Sequence, residues 1–289
     1  MNVSAQKEVV MEPQPPATPR QFAAPRPRFF PIRQEVTPGL RVVFGALGVV
    51  PLIVAYGWLT HQGWVSPTIL PSLANIAEAA RDALSGSEFW TDLGYSFARV
   101  TAGFVAAAVL AVPLGVLAGS FRLFSSALEP LSEFLRYIPV PALIPLVMIV
   151  VGIDEGAKVT LVFLGTFFQL LLSTADEVRR VPIALVHVSQ SLGATRLEIV
   201  WRVLTPAAMP GISQALRMCN GWAWSYVVVA ELVAATEGLG FRTLRFYRFI
   251  QTPSIDVYLL VFGVVGLGLD ALFRLVHRRL FRWSLRGET

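Results

Sequence analysis

Two ionisable side chains, Arg99 and Glu231, lie within apolar stretches of the sequence that are long enough to enter a lipid bilayer. Charged groups at membrane depth are costly and usually face a water-filled cavity or a partner. We therefore predict that they line a path for a solute, together with the polar and aromatic residues of the same stretches: Gln169, Asn220, Trp222, Trp224 and Ser225.

Each of these residues also has a purely structural explanation. Arg99 can extend its charged end to a membrane surface, and Gln169 and Asn220 can join helices through hydrogen bonds. Tryptophans in membrane helices are often packing or interfacial anchors. Glu231 falls near the end of its stretch, where an arginine can neutralise it. A solute path and a structural role both stay open at this point.

Motifs for covalent chemistry are absent from the sequence. It contains no GxxxxGK[ST] loop, which would cradle nucleotide phosphates, so we predict that the chain does not hydrolyse ATP itself. It has no HExxH motif and no paired intramembrane aspartates, which argues against a membrane-embedded enzyme. Cys219 is the only cysteine, which excludes an internal disulfide and a Cys-based metal site. We expect no cofactor and no metal on this chain.

A polar segment from His187 to Pro206 has the signals of two short helices joined by a break. Gly193 suits the left-handed position that ends the first helix. Thr195 and Glu198 have the spacing of a capping box at the start of the second helix. Pro206 is predicted to end that second helix.

The second helix has apolar residues to bury and charged residues to present. We expect burial of Leu197, Ile199, Val200, Val203 and Leu204. Arg196, Glu198 and Arg202 are expected to face a partner or water. A helix this short is not stable alone, so it must pack against something larger.

Composition identifies the surroundings of the chain as lipid. Its 289 residues are 54% apolar and 15% charged, with a mean hydropathy of +0.60. A soluble domain of this size could not bury so much apolar surface. We predict an all-α membrane protein with about six transmembrane helices, at 41–60, 90–118, 131–152, 158–176, 207–234 and 255–277.

The distribution of arginine and lysine predicts the orientation. The chain carries a net charge of +5, but its basic residues are scattered between apolar spans, which fits membrane topology better than nucleic-acid binding. Arginines precede the first span and follow the last, so both termini are predicted to be cytoplasmic. The same alternation places Arg122, Arg136 and the 177–206 loop inside. It leaves a basic cluster outside: Arg242, Arg245 and Arg248.

Other segments give further expectations. Residues 1–38 contain eight prolines and are predicted to be a disordered cytoplasmic tail. Residues 67–87 predict a loop and an amphipathic helix on the outer surface. Gly115 and Gly119 form a GxxxG motif, which lets helices approach closely. Prolines at 139, 141 and 145 must disturb the entry of the third span.

The 187–206 segment resembles the EAA loop of binding-protein-dependent ABC importer permeases, whose pattern is Glu-Ala-Ala, three residues, Gly, nine residues, Ile, one residue, Leu-Pro. Gly193 and Pro206 fall at the required spacing, and Val203 stands in the isoleucine place. Thr205 replaces the leucine, and His187-Val-Ser replaces the Glu-Ala-Ala triplet.

Similarity extends over about residues 40–283. The segments at 96–103, 136–145 and 221–231 resemble the nitrate, sulfonate, taurine and bicarbonate branch of these permeases. The resemblance implies a type I importer permease of the MetI-like fold: a permease domain at 39–283, a coupling loop at about 177–206 and a short cytoplasmic tail at 284–289.

The resemblance also implies function and partners. The permease would move a small oxyanionic solute from periplasm to cytoplasm by alternating access, in the inner membrane. Its partners would be cytoplasmic ATPase subunits that bind ATP and Mg²⁺, a periplasmic solute-binding protein and a second permease copy. The residues implied to contact the ATPase or shape its contact are Gly193, Ala194, Thr195, Arg196, Glu198, Arg202 and Pro206.

The alternative function is a stand-alone secondary transporter or channel. Membrane composition is compatible with it, but such a protein has no evident use for a helix–break–helix loop with Gly193 and Pro206 at this spacing.

Overall fold

The computed structural model describes residues 37–283, and within that range the chain is helical with no β-strand. The helices, in chain order, are α1 (Pro38–His61), α2 (Leu73–Ser85), α3 (Ser87–Ser120), α4 (Arg122–Arg136), α5 (Val140–Val151), α6 (Glu155–Arg179), α7 (Ile183–Ser191), α8 (Arg196–Glu198), α9 (Thr205–Ala234), α10 (Leu239–Arg248) and α11 (Thr252–Leu280). A π-helical segment, Ile199–Leu204, joins α8 to α9. The predicted tails at 1–36 and 284–289 fall outside the described residues.

Two compact units divide the chain between Val54 and Ala55. The first unit contains most of α1, a single helix with Pro51 inside it. The second unit contains the remaining helices.

Four helices are long and apolar enough to cross a membrane, in agreement with the predicted spans: α1, α3, α6 and α11. Helix α9 has a comparable length, 30 residues, but is interrupted by polar residues, among them Arg217, Asn220 and Glu231. Helices α4 and α5 satisfy the same test only as a pair, bent by 105° at the short break between them.

The close approach of α3 and α6 is the main contact of the second unit. A Cβ atom added at Gly103 would lie 2.7 Å from Val162, and one added at Gly115 would lie 2.6 Å from Thr174. Between them, Ala107 and Ala111 are completely buried. Small residues at every fourth position therefore form one face of α3 on which α6 lies, and the predicted GxxxG is its last part.

These contacts show that α3 and α6 run parallel. The early residue Gly103 meets the early part of α6, and the late residue Gly119 meets Val178 near its end. The chain must therefore return across the membrane between them, and α4 and α5 make that return. The sequence predicted a third span at 131–152 with its entry disturbed by prolines; the disturbance is confirmed, since the helix stops at Arg136 and restarts at Val140, but the pair begins earlier, at Arg122.

Proline explains the break in this span. Pro141 has no N–H to donate to the carbonyl four residues earlier, and its ring collides with a helical residue at that position. Residue 139 is also a proline and adopts an extended backbone at the start of α5. With 12 residues, α5 is about 18 Å long, which is too short to cross a bilayer alone.

Helix α9 runs antiparallel to α3. Its first turns pack with Val116 of α3 and Val178 of α6, whereas Glu231 near its end contacts Ser96 near the start of α3. We call the side of the membrane on which α3 ends the α7 side. The side on which α3 begins is the α10 side. Together with α9, the four apolar helices and the α4–α5 pair give the six predicted crossings.

The predicted amphipathic helix between the first two spans is present as α2. The Ser72 side chain caps it by accepting a hydrogen bond from the Asn75 backbone N–H at 3.2 Å. Its apolar face packs against the core formed by α3, α9 and α11, through Ile76, Ala79, Ala80 and Ala83. Tyr56 donates a hydrogen bond to the Pro71 carbonyl and so fixes the loop before it.

The glycine face of α3 gives a direct test. We expect Gly115→Ala to lower the free energy of unfolding by about 1–3 kcal/mol, because its Cβ would overlap Thr174 and the Leu171 carbonyl. The measurement is thermal unfolding of the purified chain in detergent.

The control for that substitution is Gly94→Ala on the same helix. Nothing lies within 4 Å of a Cβ at Gly94, so alanine should be neutral or stabilising there. Equal losses of stability at both positions would contradict the close contact of α3 with α6.

Candidate functional site

The loop on the α7 side has the turn that the sequence predicted. Gly193 has φ +82°, a conformation that suits glycine, and its N–H donates to the Gln190 carbonyl at 2.9 Å. The Ala194 N–H donates to the Ser189 carbonyl at 3.0 Å. These bonds end α7 and reverse the chain into α8, as a left-handed helix end does.

The predicted capping box is confirmed at the start of α8. The Glu198 backbone N–H donates to Thr195 Oγ1 at 3.4 Å, and the Thr195 N–H donates to Glu198 Oε2 at 3.0 Å. Hydrogen bonds from Thr195 hold the pKa of the Glu198 carboxyl below its usual range. The bond from the Thr195 backbone N–H has the larger effect and the bond from its hydroxyl the smaller. The carboxylate thus stays ionised at neutral pH and keeps the helix start closed.

Pro206 does not end the second helix, contrary to the prediction. The π-helical segment carries the helix onward, and the Thr205 N–H donates to the carbonyl of Val200, five residues earlier. The Thr205 hydroxyl donates to the same carbonyl at 2.8 Å. Pro206 then occupies the first turn of α9, where a missing N–H costs least. The loop is therefore continuous with a membrane helix.

The buried face of the loop is largely as predicted, with Ile199, Val200 and Leu204 in a core with Val116 and Val178. Leu197 was expected to be buried, but 62% of it is exposed. It lies on the outer side of the turn, where α8 and the π segment rotate it away from α3 and α6. Exposed apolar side chains that the sequence did not predict therefore lie on the α7 side, and we call them the loop surface: Leu192, Leu197 and Trp201.

The charged residues predicted for a partner lie around that surface. Arg202 and Glu198 form an ion pair at 3.4 Å, with 78% of the arginine side chain exposed. Arg196 and Thr195 are also exposed. Together with Gly193, they surround an apolar centre with polar groups, which is the usual composition of a protein interface.

Among the predicted path residues, the structure brings Asn220, Trp224 and Ser225 together. They line a cavity of about 420 Å³ between α9 and α11, which we call the α9–α11 cavity. The buried Trp224 Nε1 has no hydrogen-bond partner among the described residues. At the same cavity Arg217 pairs with Asp270 at 3.0 Å.

Arg99 and Glu231 are not at that cavity. They form an ion pair at 2.7 Å, and their side chains are 3% and 0% exposed. Ser96 donates to the same carboxylate, and Arg99 also pairs with Glu155. This pairing satisfies the two charges within the protein, so they do not need a solute to neutralise them.

The same cluster holds the turn between α9 and α10. Backbone N–H groups of Gly238, Leu239 and Gly240 donate to Asp92, Ser96 and Glu231 at 2.8–2.9 Å. Gly238 has φ +123° and lies so close to Arg99 and Glu231 that a Cβ there would be 2.6 Å from both. We call these side chains, with Arg99, the α10-side charge cluster.

Asp92 and Arg242 were missed as members of this cluster. The completely buried Asp92 accepts a hydrogen bond from Arg242 at 2.7 Å, so Arg242 is not part of an exposed basic face. Burial opposes the charged form of Arg242, but the bond to Asp92 more than offsets this and raises its pKa. A signal was present, because Asp92, Ser96, Arg99 and Gly103 have the spacing of one helical face.

Gln169 and Trp222 are the two predicted path residues that lie apart from both the α9–α11 cavity and the α10-side charge cluster. Gln169 is half-buried on α6 and donates to the Ser173 hydroxyl at 3.4 Å. Trp222 is 55% exposed on α9. Neither lines the α9–α11 cavity, and their role in a solute path stays a prediction.

A metal site is not indicated in the described part of the chain. Residues 37–283 contain no group of three or more His, Cys, Asp or Glu side chains that could hold an ion. The 187–206 loop, by contrast, joins the exposed loop surface to the membrane helix α9 through the π segment.

Comparison with known proteins identifies the family of the chain that carries this loop. The family described as "Binding-protein-dependent transport system inner membrane component" matches residues 111–282, which include the broken span, the loop and the last two membrane helices. The chain belongs to this family. It is therefore a multi-pass permease subunit of an ABC importer in the inner membrane, and not a stand-alone secondary transporter or channel.

Several relatives cover most of this permease. It is 36% identical over 251 residues to a "probable ABC transporter permease protein" of Brucella abortus (strain 2308), covering 86% of this chain and 97% of the relative. It is 30% identical to the taurine transport system permease protein of Escherichia coli (strain K12), covering 84% and 90%. It is 30% identical to the bicarbonate transport system permease protein of Synechococcus elongatus, covering 72% and 73%.

A solved structure supports the fold. The permease matches a chain of the inward-facing MetNI methionine ABC transporter with a TM-score of 0.59 and 20% sequence identity, covering 65% of this chain and 94% of that chain. The MetI-like fold expected from the sequence is confirmed.

The ion pair of the charge cluster gives a second test. Glu231→Ala should lower the free energy of unfolding by about 3–5 kcal/mol, because it leaves Arg99 with a buried, incompletely neutralised charge and removes the acceptor for Gly240. Thermal unfolding in detergent measures this loss.

Glu88→Gln is the matched control. Glu88 also pairs with an arginine of the cluster region, Arg242, but 74% of its side chain is exposed, so its loss should cost about 1 kcal/mol or less. A Glu231→Ala chain as stable as Glu88→Gln would show that the buried pair does not hold the helices together.

Proposed function

We propose that this permease imports a small oxyanion, of the sulfonate or bicarbonate class, from the periplasm to the cytoplasm. The energy comes from ATP, bound with Mg²⁺ on a partner ATPase. The solute class is supported by the relatives whose names give taurine and bicarbonate as transported solutes.

The observation that carries the coupling proposal is the continuity of the loop with α9. From Arg196 to Ala234 the chain is helical without a break, through the π segment. A push on α8 is thus transmitted to a membrane helix that lines the α9–α11 cavity. Rigid connection of this kind lets the closing of an ATPase tilt a membrane helix.

The ATPase would bind the α7 side. Its contact would be centred on the exposed loop surface, with the Arg202–Glu198 pair and Arg196 at the rim. Apolar centres with charged rims are typical of specific interfaces. His187-Val-Ser replaces the Glu-Ala-Ala triplet of the family's loop pattern. Polar contacts between the first helix and the ATPase would therefore come from other residues.

This assignment also orients the chain. The α7 side would be cytoplasmic and carries the exposed Arg122, Arg180, Arg196 and Arg202, in agreement with the bias of arginine toward the cytoplasm. Both termini would then be cytoplasmic. The solute-binding protein would dock on the α10 side.

A second copy of the permease would complete the path. Wide apolar surfaces remain exposed on α5 and α11, including Ile149 at 82% and Leu267 at 68%. Lipid or a second copy can cover them. Asn220, Trp224 and Ser225 line the α9–α11 cavity and stay candidates for the solute path.

Gly193 provides the test of coupling. Gly193→Pro should reduce solute-stimulated ATPase activity at least about tenfold, because proline cannot adopt φ +82° and removes the N–H that bonds Gln190. The tagged chain is purified from membranes with its bound proteins, which are identified by mass spectrometry, and ATPase activity is measured in proteoliposomes.

Gly193→Asn is the matched control, since asparagine tolerates the left-handed conformation. It should retain a stoichiometric ATPase and most of the stimulation. Recovery of the wild-type chain without any ATPase would refute the importer assembly, and normal stimulation in Gly193→Pro would refute the coupling role of the loop.

The solute class is tested separately. In proteoliposomes with the ATPase and the binding protein from neighbouring genes, taurine or bicarbonate should stimulate ATP hydrolysis severalfold, whereas choline and glycerol should not. Stimulation by choline, with neither anion active, would overturn the oxyanion proposal and leave the permease assembly intact.

A further inference from the structure

Arg136 lies at the break between α4 and α5, beside a cavity of about 350 Å³ that we call the break cavity. Its walls include Arg136, Tyr137, Gly165 and Tyr226. Gly165 is about 15 Å from the first residue of α6 and about 21 Å from the last, at 1.5 Å per residue. The wall of the break cavity that α6 forms, with Leu164, Gly165 and Phe168, is therefore the middle of a membrane-spanning helix. The sequence placed Arg136 on the cytoplasmic side and predicted that the nearby prolines disturb the entry of the span, but not the cavity beside them.

Arg136 has no carboxylate to neutralise it. Within residues 37–283, no Asp or Glu oxygen lies within 4.0 Å of its guanidinium. Its contact is the neighbouring Tyr137, with Nη2 donating to the hydroxyl at 3.3 Å and the guanidinium 5.0 Å from the ring centre. By comparison, Arg99 and Arg217 each pair with an acid.

An unpaired, exposed arginine at this depth cannot face lipid at low cost. It requires a water-filled space or an anionic partner. The remaining walls of the break cavity carry no charge: they are Leu164, Gly165 and Phe168 of α6, Tyr226 of α9 and the apolar start of α5. A single positive charge between apolar walls attracts small anions, because low-dielectric walls concentrate its field in the cavity.

One wall of the break cavity consists of closely packed residues of α6 and α9. The Tyr226 ring lies against Gly165, where a Cβ would be 2.5 Å from a ring carbon. Tyr226 is two residues from Trp224, which places it on nearly the opposite side of α9. The break cavity and the α9–α11 cavity therefore lie on different faces of this helix and share no lining residue.

We propose that Arg136 binds the oxyanion group of the solute at the α4–α5 break, and is a specificity-determining residue of the translocation path. Two parallel N–H groups of a guanidinium match two oxygens of a sulfonate, carboxylate or bicarbonate. Tyr137 holds the guanidinium plane from one side. This inference rests on the proposed import of an oxyanion and adds the group that recognises its charge within the membrane.

The test uses thiol reagents of opposite charge. Tyr137→Cys, in the otherwise unchanged full-length chain in membranes, is treated with 2-sulfonatoethyl methanethiosulfonate or with its trimethylammonium counterpart. Each rate is divided by the rate of the same reagent with free 2-mercaptoethanol. Native Cys219 is 2% exposed and should not react, which the unsubstituted chain checks.

We expect the anionic reagent to be favoured about tenfold at Tyr137→Cys, since a positive site concentrates anions in a narrow cavity. Adding Arg136→Gln should abolish the preference, and adding Arg136→Lys should keep most of it. Ser225→Cys, beside the neutralised Arg217–Asp270 pair, should show no preference.

No labelling by either reagent would show a closed, dry break and overturn the inference, as would an anion preference that survives Arg136→Gln. The labelling needs no ATP and no partner protein. Loss of taurine- or bicarbonate-stimulated ATP hydrolysis with the labelling preference intact would therefore refute the solute class alone.

Discussion

The parallel contact of α3 with α6 sets the direction of the other membrane helices. Two helices that pack in parallel through Gly103 and Gly115 need a connection that recrosses the bilayer. That connection is the α4–α5 pair, and its prolines prevent one straight helix. The break cavity, with Arg136 beside it, follows from this contact and from the prolines together, because the return path lies against the middle of α6.

Charge is handled differently at the two ends of the molecule. On the α10 side, Arg99, Glu231 and Asp92 neutralise one another and bond the backbone of the turn before α10, so that end is fixed. On the α7 side, Arg196 and Arg202 remain at the surface around exposed apolar groups. A rigid end and an accessible end are what a helix requires if it is to be tilted from one side.

Local chemistry made several features predictable from the sequence. The positive φ of Gly193 and the capping box of Thr195 with Glu198 depend on residues within one or two helical turns. The apolar spans follow from the energetics of lipid. The family resemblance supplied the fold and the importer function, which composition alone could not.

The features that were missed depend on packing between distant segments. Arg99 meets Glu231 across 132 positions, and Asp92 meets Arg242 across 150, which no periodicity in either helix reveals. The sequence placed Arg136 on the cytoplasmic side, but not beside a cavity with α6 and α9, because that cavity depends on how α4 and α5 pack. Leu197 was predicted to be buried on the assumption of an ordinary α-helix, and the π segment that follows it was not predicted. The only local sign of an irregular helix there was Pro206, which has no N–H to donate.

The π segment also has an evolutionary consequence. It holds one extra residue in a helical turn, and a residue in an ordinary helix accounts for about 100° of rotation. Loss of one residue between Ile199 and Leu204 would turn all that precedes it about α9 by that angle and aim the loop surface elsewhere. Substitutions that keep the length of this segment leave the direction of the loop surface unchanged, whereas a change of one residue in its length does not.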